Sequence, residues 1–211
     1  GLRLETLQAA VALGGAVEVE LHGVAGDRGV LAVLRTDGVL GTAVVRGIDV
    51  LPQGAVTATR PRPGIEVSVF PVAAMLDEVL RLVPAAAETD VADADVPVEL
   101  SVALGRALRE GRTQVVEALT ADLGLEEPPA VVGSLARTLD GQLALTVRSH
   151  GSARTSLGTW LRCDAGWVEI LPMPGDVLRH RVRTREDIGR TLLTELTGRV
   201  DRALTAAQEA G

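Results

Sequence analysis

The chain has 211 residues, 46% of them apolar, and 21 basic against 28 acidic side chains give it a formal net charge of −7. That acidic balance, with only 1% aromatic residues, argues against nucleic-acid binding, which draws on a basic excess and stacking rings. A single cysteine leaves no internal disulfide and points to a reducing compartment.

No run of about 18 apolar residues suggests a membrane span. The opening GLRLETLQAA lacks the ordered regions of a secretory signal. The composition therefore predicts a cytoplasmic protein. Every basic residue is Arg, and Lys, Asn and Tyr are absent. The core has to be built from Val, Leu, Ile and Ala.

Leu4, Leu7, Val11 and Leu13 fall at roughly helical spacing, and Gly14-Gly15 ends that segment. Alternation follows: Val17, Val19 and Leu21 lie on one face, Glu18, Glu20 and His22 on the other, which predicts a half-buried strand. Two apolar runs flank Asp37-Gly38, a strong hairpin signal. GIEVSVFP, from Gly64, reads as a further strand. Val72, Met75, Leu76, Val79, Leu80 and Val83 then share a helical face, and Pro84 stops the helix.

Residues 85–97 are small and acidic and read as a linker. They divide a first half, 1–84, from a second, 98–211. The second half begins with helical signal over VELSVALGRALREG and TQVVEALTADLG, closed by Pro128-Pro129. Strands are expected at VVGSLARTL, QLALTVRS, GTWLRCD, WVEILPM and VLRHRVRTR. A long helix from about Arg185 to Gln208 ends the chain, with Ile188, Leu192, Leu196, Val200 and Leu204 on one stripe. VLAVLR at 30–35 resembles QLALTVR at 142–148, and MLDEVL resembles IGRTLL. The expected class is α+β: two pseudo-repeated halves of antiparallel sheet with flanking helices about a quasi-twofold.

Chemistry-bearing motifs are sparse. G-x-G-x-x-G and G-x-S-x-G do not occur, and without Lys a phosphate loop of the G-K-[ST] type cannot form. Ser152 in HGSARTS has no base or orienting acid at a defined spacing. Cys163, between Trp160 and Trp167, reads as a small buried apolar residue rather than an activated thiolate. A zinc set of Cys163, Asp164, His150 and His180 matches no ligand spacing. Asp93 and Asp95 fall in the linker, a poor place for acid–base work. Arg179, Arg181, Arg183 and Arg185 alternate along one strand; this reads as a solvated edge face or, less simply, as a contact for an acidic peptide or phosphate. The chain reads as a non-enzyme without metal or cofactor.

The stretch GTWLRCDAGWVEILP resembles the EspG family, cytosolic chaperones of type VII secretion in actinobacteria. Trp160, Asp164 and Gly166 fit the family's W-x-D-x-D-x-G-R-Y frame, and WVEILP at 167–172 resembles its W-V-x-V-x-P. GVLAVLR and RLVP at 81–84 resemble family phrases in the first half. Trp167-Val168 replaces the family's Arg-Tyr, and the family's extra N-terminal helical segment has no counterpart here, as in a shortened member or a trimmed chain. The resemblance implies a chaperone that binds the apolar tip of a helical secreted protein of the PE–PPE type. By position the contacts fall on the turn Thr36, Asp37, Gly38 and Val39, and on Leu192, Leu196 and Val200 of the closing helix. A homodimer is left open. Two other readings stand beside it: a small-molecule sensor or enzyme with a pocket near Trp160, Cys163, Trp167 and His180, and an immunity-type binding protein.

Overall fold

The computed structural model describes residues 15–53, 56–149 and 155–209. The helix expected over 4–13, and with it His150 and Ser152, lies outside the described residues. The protein is α+β, as the blocks of alternation predict. Strands β1 (Val17–Ala25), β2 (Arg28–Thr36), β3 (Leu40–Gln53), β4 (Val56–Pro61) and β5 (Glu66–Pro71) come first. A 3-10 turn (Val72–Ala74), helix α1 (Met75–Leu82) and strand β6 (Ala94–Pro97) follow. Next are α2 (Val98–Arg109), α3 (Thr113–Asp122) and α4 (Ala130–Thr138). The chain closes with β7 (Gly141–Ser149), β8 (Thr155–Cys163), β9 (Gly166–Met173), β10 (Val177–Arg183) and α5 (Arg185–Glu209).

Two compact units divide at Pro84, but neither is continuous in sequence. The first comprises Gly1–Pro84, Leu143–Gly158 and Glu186–Gly211; the second comprises Ala85–Gln142 and Thr159–Arg185. In the first, the strand order is β4-β3-β2-β1-β7, and β5 also pairs with β3. The β1, β2 and β3 ladders are antiparallel and in the register the alternation requires: Val19 faces Leu34, which faces Ala43. The centre of one sheet face is thus apolar, with Val19, Leu34 and Ala43 each at 0% exposure. Helix α1 packs on β1 and β2, burying Met75, Val79 and Leu82. Gly189 of α5 lies against Leu80 of α1.

In the second unit, β8, β9, β10 and β6 are successive neighbours. Val96, Leu104, Val131, Val132, Cys163, Ala165 and Val168 form its core. The turn between β8 and β9 has a backbone that only glycine fits: Gly166 is at φ 104°, and a Cβ there would stand 2.6 Å from the Ala87 carbonyl oxygen.

Several expectations need correction. VVGSLARTL is helix α4, not a strand. Pro129 presets the entry, and its carbonyl accepts the Val132 and Gly133 N–H groups. Val131, Val132 and Ala136 are buried at helical spacing, which outweighs the β-branched composition. Ala94–Pro97, inside the expected linker, pairs with β10 in register from His180↔Ala94 to Val177↔Pro97. Strand β4, short and half polar, carried no alternation strong enough to read. Finally, β10 is no edge, since β9 and β6 pair with it on either side.

Candidate functional site

The turn joining β2 to β3 is built by its own side chains. The Asp37 carboxylate accepts the Val39 and Leu40 N–H groups at 2.8 and 2.9 Å. The Thr36 hydroxyl accepts the Gly38 N–H at 3.0 Å and donates to the Leu40 carbonyl at 2.8 Å. Gly38 takes φ 98°, a conformation that costs other residues energy. The Val39 carbonyl accepts the Val72 N–H, tying the turn to the end of β5. So fixed, the turn holds Val39 out to solvent at 69% exposure while Thr36 is buried at 1%. An apolar side chain on a rigid turn loses little entropy when a partner covers it.

The same unit carries an open apolar trough of about 440 Å³ on its sheet, lined by Leu31, Val33, Val44 and Ile65 together with His22 and Arg46. Ile65 and Val67, which alternation alone would turn inward, are exposed, because the register sets Val67 beside Val44, on the sheet face opposite the buried Ala43 and Val45. His22 is exposed, as alternation with Val17, Val19 and Leu21 predicts. Beside it, Arg148 bridges the Glu18 carboxylate at 2.9 Å and also the Glu20 carboxylate.

The closing helix divides differently from its expected role. Leu192 and Leu196 are buried, at 3% and 6% exposure, and Val200 is half-buried. Among the described side chains of α5, the large apolar one exposed to solvent is Leu193. Its position one residue off the stripe hid it from a periodicity reading.

In the second unit the expressive side chains prove to be packing. Trp160 and Trp167 are buried. Cys163 is buried, and desolvation pushes its thiol pKa up, the opposite of activation. Hydrogen bonds from Ser134 and Thr138 hold the Asp164 carboxyl below its usual range, so it ties the β8–β9 turn to α4. Asp93 and Asp95 do not sit in a mobile linker. Arg179 grips Asp95 with two bonds of 2.7 and 2.6 Å and lowers its pKa, and Asp93 accepts the Val182 N–H at 2.9 Å. Arg183 pairs with Glu169 at 3.0 Å. Arg179, Arg181 and Arg183 are thus engaged by acids of their own chain. His180 is buried, 3.3 Å from the Ser101 hydroxyl; burial pushes its pKa down, so the ring is neutral at pH 7. Among the described residues no group of three His, Cys, Asp or Glu side chains is placed to hold a metal ion. No helix among them is long and apolar enough to cross a membrane.

No family model matches the sequence, and no curated protein matches it either. Among solved structures, the fold is similar to the Mycobacterium tuberculosis type VII secretion system chaperone EspG5, solved in complex with the PE25–PPE41 dimer. The TM-score is 0.54 at 12% sequence identity, over 93% of this chain and 78% of that one. At that identity the likeness is one of fold: the chain has an EspG-like α+β architecture.

Proposed function

We propose that this protein is a chaperone or adaptor that holds a helical secreted protein of the PE–PPE type, as a non-enzymatic, cytoplasmic member of an actinobacterial type VII secretion pathway. The observation that carries the reading is the fold likeness over nearly the whole chain to a chaperone seen with such a dimer. Local structure supports it: a stiff hairpin turn presents Val39, and the same unit exposes Leu31, Ile65, Val67 and Leu193. An exposed apolar side chain held on a stiff turn beside an open apolar trough suits a partner surface.

The proposed contacts are the turn Thr36–Val39, with Val39 as the anchor and Asp37 and Gly38 as its frame. On the closing helix, Val200 keeps the role that the resemblance placed on Leu192, Leu196 and Val200, and Leu193 takes the place of the first two, which lie in the unit's interior. Co-expression with a PE–PPE dimer tests the reading. The wild-type chain co-purifies with the dimer, and Val39→Asp, which sets a charge in the contact, loses it while keeping a native circular dichroism spectrum. Failure of the folded wild-type chain to retain any PE–PPE dimer would overturn the chaperone reading. Binding by wild type and Val39→Asp alike would move the surface away from the turn.

A further inference from the structure

The second unit contains a cleft of about 300 Å³ between α2, α4 and the strands β8, β9 and β10. Leu135, Leu139, Leu161, Ile170 and Leu178 make its walls apolar. Val102 and Leu139 are among the exposed large hydrophobic side chains of the chain, so the cleft opens to solvent through an apolar lip. Two polar side chains interrupt the walls, Ser101 and His180, joined at 3.3 Å. Burial keeps His180 uncharged, against the backbone hydrogen bonds at Ala94 and Leu178 that favour its charged form. The one formally charged residue of the lining is Arg109. Arg109 is exposed and forms no ion pair among the described residues, whereas its neighbour Arg112 pairs with Glu110 at 2.6 Å.

We infer that this cleft binds a small carboxylate with an aliphatic tail. An unpaired guanidinium beside apolar walls presents a fork that fits a carboxylate, and no acidic residue in the lining competes for it. The walls desolvate the tail. The volume lies at the lower end for ligand pockets, which limits the tail to a short chain. The Ser101–His180 pair offers a hydrogen bond to an oxygen on that chain. In a protein of net charge −7, an arginine without an ion pair at an apolar cleft gives an anion a favourable place to bind. The site does not depend on the chaperone reading, because none of its residues belongs to the proposed partner surface.

Calorimetric titration of the full chain with octanoate, octanol and an acidic amphipathic helical peptide tests this. Octanoate binds, and octanol of the same length binds about tenfold more weakly, as expected for loss of a charge-assisted hydrogen bond. Arg109→Gln erases that preference by weakening octanoate to the level of octanol. Arg106→Gln, which removes an equal charge outside the lining, leaves octanoate binding unchanged. Both arginines are exposed, so circular dichroism of either variant stays native. Equal affinity for octanoate and octanol, an unaltered titration in Arg109→Gln, or no heat at millimolar octanoate would overturn the inference. So would heat from the peptide alone that disappears in Arg109→Gln, which would make the cleft a protein interface.

Discussion

At the scale of single residues, scarcity sets the stakes. The two tryptophans are buried in a chain whose one remaining aromatic side chain is Phe70. Trp160→Ala is expected to cost roughly 3–5 kcal/mol, because the lost transfer energy adds to the cavity left behind. Chemical denaturation read by circular dichroism measures that loss. Retained stability with lost partner binding would make Trp160 a surface anchor instead. Cys163 lies between them in sequence but plays a smaller part. Its raised thiol pKa and its burial predict no reaction with a thiol reagent in native buffer and full reaction after unfolding. Cys163→Ala is expected to lose about 1 kcal/mol, the ordinary scale of a small core change, and to leave partner binding intact.

At the scale of elements, the β2–β3 hairpin and the closing helix answer to different forces. The hairpin turn is held by polar side chains: Asp37→Ala removes the acceptor for two backbone N–H groups. A loss of about 1 kcal/mol follows, typical of a capping acceptor, and hydrogen exchange at Val39 and Leu40 reads it locally. The closing helix is held by burial. Leu196→Asp would set an unpaired carboxylate where the leucine is 6% exposed, at a cost of at least roughly 3 kcal/mol. The mutant is expected to melt far below wild type. A native melting temperature would show that α5 lifts from its unit easily and that Leu196 is open to a partner.

At the scale of the whole molecule, stability falls with acid for two reasons that act in separate pH windows. Burial holds the folded pKa of His180 below the ordinary histidine value of 6.5. The unfolded chain takes up a proton there first, so stability is full above about pH 6.5 and declines as pH falls toward the folded value. Asp95 and Asp164 have folded pKa values below 3.8, so the stability they add is full above that value and drains away below it. Melting curves from pH 8 to 3 check the sign. His180→Gln should flatten the decline that begins below about pH 6.5 and leave the loss below pH 3.8 in place.

The sequence by itself determined the class of fold and most of its strands. Val17, Val19 and Leu21 alternate, Asp37-Gly38 makes a turn, and the stripe of α5 repeats at helical spacing; such patterns are local and survive in any surroundings. Only the tertiary structure decided what those elements face. Leu192 and Leu196 show the same periodicity whether a helix meets its own sheet or a partner, and packing in their own unit buried them. Ile65 and Val67 alternate like core residues, yet the register with β3 places Val67 on the face opposite the buried Ala43 and Val45 and leaves both bare. Asp93 and Asp95 carry no pattern that foretells Arg179 or the Val182 amide, which lie more than 80 residues away in sequence. The cleft at Arg109 draws its walls from helices and strands scattered from Ser101 to His180. Periodicity reports the geometry of one element, whereas a binding surface is what remains when all the elements have covered one another.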